Sequence, residues 1–124
     1  PPGLRTEDWQ TLKLPTLVTV GTQDLAQLPG QDGYRFRREP FDLAPPGDKY
    51  LLVQDGADHY LGGRVGRDDL PRAPQGDAYV AEFLAVTTAF LDAYLREDRR
   101  AREFLAAAGT EARAIGEHGK LQRK

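Results

Sequence analysis

The chain lacks cysteine, and reading its 124 residues through also shows no serine and no asparagine. Without cysteine there is no disulfide framework, no thiolate zinc site and no thiol nucleophile. Without serine, a serine nucleophile cannot come from this chain. Net charge is low at −2. The charges are interspersed and form no block, so electrostatics gives no case for nucleic acid or an anionic membrane as a partner. No stretch approaches the apolar length needed to span a bilayer, and no signal peptide or lipidation motif is visible. The chain opens Pro1-Pro2-Gly3 with no initiator methionine, so we expect residues to be missing upstream. Cytoplasmic and secreted locations both stay open. The preference for Arg, Ala and Gly over Lys and Ile reads as a coding bias without functional weight. The length bounds the chain to one domain.

What is present is organised around the stretch from Leu14 to His59. Leu17-Val18-Thr19-Val20 is a short apolar run, rich in β-branched residues, that stops at Gly21-Thr22-Gln23-Asp24. Tyr50-Leu51-Leu52-Val53 is a second, stopping at Asp55-Gly56-Ala57-Asp58-His59. Both read as strands, at about 15–20 and 49–54. Tyr34 to Leu43 between them is long enough for a short crossover helix, kept short or kinked by Pro40. The unit is therefore βαβ, with parallel strands and a right-handed crossover. Asp24 and His59 then both lie just past the carboxyl ends of neighbouring strands, where open α/β sheets place ligands and chemistry. An acid after a strand commonly caps the next turn, and a loop histidine is commonly a surface residue. Their shared position makes them candidates for two members of a nucleophile-activating triad. Asp55 and Asp58 are rival acids. Asp58 ranks below Asp24 because adjacent side chains point apart.

Around this unit, Thr6 is expected to cap one helical turn, with Trp9 packing on the body of the domain. Leu25 to Gly33 carries the turn signals Pro29-Gly30 and Asp32-Gly33. Arg35, Arg37 and Arg38 read as a solvated face paired with Glu39 and Asp42. Tyr34, Tyr60, Leu61 and the glycines after His59 suggest the wall of a pocket. Asp77 is expected to cap a helix at about 77–95. In it, Tyr79, Val80, Phe83, Leu84, Thr87, Phe90, Leu91, Tyr94 and Leu95 recur at spacings of three and four and form one wide apolar face. Its opposite face is not basic, which argues against a membrane-surface helix. A shorter helix follows at about 100–108, stopped by Gly109. Thr110 to Lys124 reads as a weak helix or loop with His118 in solvent.

The order Leu14-Pro-Thr-Leu-Val-Thr-Val-Gly-Thr-Gln-Asp24, then Gly47-Asp-Lys-Tyr-Leu-Leu-Val-Gln-Asp-Gly-Ala-Asp-His59, resembles the C-terminal part of the α/β-hydrolase fold. Within that fold it looks like bacterial esterases related to dienelactone hydrolases and polyester-degrading enzymes. The resemblance implies that residues 1–124 form a single partial domain, in which Asp24 orients a catalytic His59. In this family the nucleophile precedes the acid and the histidine in a Gly-x-Ser-x-Gly elbow. Neither the elbow nor any serine is present here. The expectation is a serine carboxylic-ester hydrolase whose nucleophile lies upstream, with a small ester as substrate and no metal or organic cofactor.

Two clear strands leave a long edge open, and the wide helix face asks for more sheet than they offer. We therefore expect the chain to pair with the N-terminal half of its own protein or with a second copy. A different class also fits the sequence: a non-catalytic α/β module that dimerises or binds a partner protein. A third reading keeps the fold and puts aspartate at the elbow, as in dehalogenase-like and epoxide-hydrolase-like relatives.

Overall fold

The computed structural model describes residues 5–25, 33–66 and 68–124. The turn signals at residues 29–32 lie outside these. The elements are α1 (Thr6–Gln10), β1 (Thr16–Gly21), α2 (Arg35–Leu43), β2 (Lys49–Gln54), α3 (Gly76–Leu95), α4 (Arg99–Ala106), β3 (Arg113–Ile115) and β4 (Gly119–Arg123). They build an α/β fold on one four-stranded sheet of order β1-β2-β4-β3. β1 and β2 run parallel, in register from Thr16 opposite Lys49 to Gly21 opposite Gln54. β4 lies antiparallel on the other side of β2, and β3 antiparallel outside it. The sheet is thus mixed, where parallel strands alone were expected.

Period-two alternation sorts the strand residues onto two faces. Tyr50, Leu52 and Leu121 join Val86, Ala93, Leu105 and Ile115 in a core under α3 and α4. Leu51 and Val20 turn the other way and meet Phe41 of α2, with Tyr34 packed beside them. β2 is buried on both faces, and removing a side chain such as Leu52 or Leu51 from water contributes about 1.5–3 kcal/mol. α2 runs on past Pro40 for only three residues, to Leu43. Tyr34, at the cap before it, is half-buried against this core. α1 rests against α2. It is capped by Arg5 rather than Thr6, with the Asp8 carboxylate accepting from the Arg5 backbone N–H at 2.7 Å.

The segment expected as a weak helix or loop is the β3–β4 hairpin. Ile115 pairs with Gly119, and Gly116 takes the left-handed conformation (φ 68°) that the tight connection needs. Each strand brings one apolar residue inward, Ile115 and Leu121. That is enough to fix the register of so short a pair but too little to stand out as a pattern. The hairpin covers the outer edge of β2, so the edge strands of the sheet are β1 and β3. α4 ends at Ala106, before Gly109. The Gly109 carbonyl instead accepts from the Arg123 backbone N–H at 2.9 Å and ties down the end of β4.

α3 begins one residue before Asp77, with Gly76 packed so closely against the Arg64 side chain that a Cβ would come within 2.8 Å of it. Asp77 falls in the first turn, not at the cap, and takes Arg64 Nε at 2.5 Å. That hydrogen bond holds its carboxyl below the usual carboxylate range. Only part of the expected apolar face meets the sheet. Of the expected residues Tyr79 is buried and Phe90 and Tyr94 pack on the core beside Val86 and Ala93, which the pattern did not include, while Leu84, Leu91 and Leu95 remain exposed. With an 18-residue window of mean hydropathy 1.3, α3 also meets the length and apolarity of a membrane span, contrary to expectation. Here it lies along the sheet as the helix that covers the larger core.

Candidate active site

The site begins with the way two loops leave the sheet. β1 and β2 are parallel, so their carboxyl ends lie side by side. The loops that follow are bonded to each other: Thr22 N–H donates to Gln54 O at 3.0 Å and Gln23 N–H to Ala57 O at 2.9 Å. The Thr22 hydroxyl accepts from Gly56 N–H at 2.8 Å and donates to Asp55 Oδ1 at 3.1 Å. This contact is why residue 21 is glycine. A Cβ there would fall 2.1 Å from the Ala57 carbonyl oxygen.

The stitched loops bring Asp24 and His59 together. His59 Nδ1 lies 3.0 Å from Asp24 Oδ2. An ionised carboxylate can only accept, so Nδ1 carries the proton and Nε2 is the nitrogen left for a reacting group. The rival acids are occupied elsewhere. Asp55 takes the Thr22 hydroxyl, and Asp58 Oδ1 accepts from the backbone N–H groups of Tyr60 and Gly62 at 3.0 and 2.8 Å. Asp58 thus folds the histidine loop, in which Leu61, Gly62 and Gly63 all adopt left-handed backbone (φ 49°, 67° and 72°). Tyr60 sets its ring edge-on to the imidazole, centroids 5.3 Å apart.

Arg37 was expected on a solvated face, as Arg38 is with its Asp42 partner at 2.8 Å. It instead reaches Asp24, with Nε 2.7 Å from Oδ1 and 3.3 Å from the Asp24 backbone oxygen. Nothing in the sequence pairs these residues. The only hint is that Arg37 sits on the connection between the two strands that deliver the pair.

A cleft of 340 Å³ opens beside the imidazole, lined by Asp24, Asp58 and His59 together with Thr19, Val20, Leu61, Val65 and Phe83. Leu61 was expected there. Phe83 and Thr19 were not, because they come from the helix and strand on the α3 side. Gly62 and Gly63 are buried and do not line the cleft, and a Cβ on Gly63 would meet the Pro71 carbonyl oxygen at 2.3 Å.

A second polar knot lies at the same end of β2. Glu82 of α3 is buried and accepts from Gln54 Nε2 at 3.0 Å and from the His118 backbone N–H at 2.9 Å. Gln54 Nε2 also donates to Tyr79 O at 2.8 Å. His118, expected in solvent, is three-quarters buried, with its ring 4.9 Å from that of Tyr79. Glu82 therefore fastens the β3–β4 turn to α3 and β2.

Chemically, the Asp24–His59 pair can accept a proton at Nε2 and stabilise the resulting imidazolium. Among the described residues, no cluster of three or more His, Cys, Asp or Glu is placed to hold a metal ion. No protein-family model matches the chain, and searches of the curated proteins and of the solved structures return no match.

Proposed function

We propose that this chain supplies the acid and base of a serine hydrolase of the α/β-hydrolase type acting on carboxylic esters. The observation that carries the reading is the 3.0 Å contact of His59 Nδ1 with Asp24 at the mouth of a cleft, past the carboxyl ends of two parallel strands. A nucleophilic serine outside this chain attacks the ester carbonyl. His59 takes the serine proton at Nε2 and returns it to the departing alkoxide, and water then repeats the cycle on the acyl-enzyme. Asp24 keeps the proton on Nδ1 throughout. Val20, Leu61, Val65 and Phe83 give the cleft an apolar wall against which the carbon chain of an ester packs. The test is an intact mass of the natively expressed protein before and after a fluorophosphonate probe. One adduct, lost in His59→Ala, is expected. A protein that gains none is not a serine hydrolase.

The open edge of β1 and the exposed Leu84, Leu91 and Leu95 support a second reading, a non-catalytic module that associates through these surfaces. It predicts a concentration-dependent oligomer that takes up no probe. A protein that stays monomeric across the concentration range excludes self-association.

A further inference from the structure

Asp24 has only 11 % of its side chain in contact with water. A carboxylate so placed must be compensated by charge and hydrogen bonds. Its two oxygens are divided between two partners: Oδ1 meets Arg37 and Oδ2 meets His59. Arg37 Nε also reaches the backbone oxygen of the same residue. One guanidinium nitrogen thus touches Asp24 at both main chain and side chain and restrains the rotation of the carboxylate. A carboxylate free to turn would present either oxygen, or neither, to the imidazole.

We propose that Arg37 is the positioning residue of the site. It commits Oδ1 to itself, leaves Oδ2 facing Nδ1, and so holds the neutral imidazole in the tautomer that keeps Nε2 free. This rests on the reading of Asp24 and His59 as the working pair. Arg37 touches neither a substrate nor the imidazole and acts through Asp24. It is only half-buried and comes from α2, so the crossover that makes β1 and β2 parallel also brings the counter-charge to the acid at their ends. A lysine at 37 would keep the charge but not the planar, fixed donor geometry.

The tautomer can be read directly. The sequence holds two histidines, His59 and His118, and 15N labelling of histidine, with each signal assigned by its loss in His59→Gln or His118→Gln, reads their ring nitrogens separately. His118, on the far side of Gln54 and Glu82, serves as an internal reference for folding. With the imidazoles neutral, wild-type His59 should be protonated mainly at Nδ1. Arg37→Met and Arg37→Gln should each lower the Nδ1-H to Nε2-H ratio several-fold, while His118 stays in place. Arg37→Lys should recover part of the ratio. An Asp24→Asn change that collapses the ratio beside an Arg37→Met change that does not would overturn the role of Arg37 and leave the pair standing. A wild-type His59 without its proton on Nδ1, or one indifferent to Asp24→Asn, would overturn both. Equal displacement of the His118 signals in both neutral variants would mean that Arg37 acts on the fold at large, and would also overturn the proposal.

Discussion

Asp24 and Glu82 are carboxylates withdrawn from water at the same end of the sheet, 9 % and 6 % exposed, but their partners differ in kind. Asp24 faces a guanidinium and an imidazole, one a permanent cation and the other able to become one. Glu82 faces a side-chain amide and a backbone N–H, both neutral and both fixed. The histidines divide the same way. His59 offers its ring to the acid and keeps 60 % of its side chain in solvent, whereas His118 gives Glu82 only its main chain and packs its ring on Tyr79. A buried acid whose partner can change charge is equipped for proton transfer. One satisfied by neutral donors holds elements together.

The comparison breaks most visibly in activity. Under the proposed hydrolase function, Asp24→Asn or His59→Ala should lower kcat by about 10⁴-fold, as expected when the base is lost or left in the wrong tautomer. His59→Ala should do so without lowering the unfolding midpoint, since its side chain is mostly exposed. Glu82→Gln should leave kcat per folded molecule at its wild-type order of magnitude. A large loss of kcat there would erase the distinction between the two acids.

Stability should show the reverse. Glu82→Ala leaves the His118 N–H without its acceptor and removes one of the two bonds of Gln54, at a cost of about 1–3 kcal/mol in denaturant unfolding. Gly21→Ala probes the join between the two loops. Its Cβ meets a backbone oxygen that cannot swing aside, so about 1–3 kcal/mol should be lost, with a displaced His59 resonance as the local sign.

A milder contrast comes from a third pair inside the larger core. The hydroxyls of Tyr50 and Tyr94 lie 2.9 Å apart. Burial, together with the bond to Tyr50, pushes the Tyr94 hydroxyl far above its ordinary value. As pH rises, the unfolded chain therefore gives up this proton first and binds fewer protons than the folded one. The contribution is whole below about pH 10 and falls away above it. Tyr94→Phe should flatten this alkaline slope and cost about 0.5–1.5 kcal/mol at neutral pH. Thermal unfolding between neutral and alkaline pH measures both effects. The smallest change expected is Leu95→Gln on the exposed side of α3, within about 0.5 kcal/mol of wild type.

The parts legible in the sequence were those with a strong local signal. β1 and β2 are dense apolar runs ended by turn residues, α3 carries a long periodic pattern, and the spacing of the runs placed Asp24 and His59 at one edge. The antiparallel hairpin was hidden because each of its strands buries a single apolar residue and its turn resembles a loop. Asp77 looked like a cap because an acid before an apolar run usually is one, but the packing of Gly76 on Arg64 starts the helix earlier. Arg37 and Glu82 were illegible for a different reason. Each looks like one more charge on a helix, and only the tertiary fold shows that it is turned toward a buried partner 13 residues away, Asp24, or 28 away, Gln54.

The order of the strands also bears on how the chain reaches its fold. β2 is the most buried strand, yet one of its neighbours, β4, arrives only after two helices and β3, pairing Tyr50 with Arg123. Contacts so distant along the chain form slowly, because the intervening loop must close before the pairing rewards it. Until then Tyr50, Leu51 and Leu52 present an apolar strand with one unsatisfied edge, the kind of surface on which misassembly starts. The βαβ unit that carries Asp24, Arg37 and His59 is more local and can assemble first. Asp24, Arg37 and His59 would thus be together while the sheet behind them is still open, and β4 would act as the closing step that protects it.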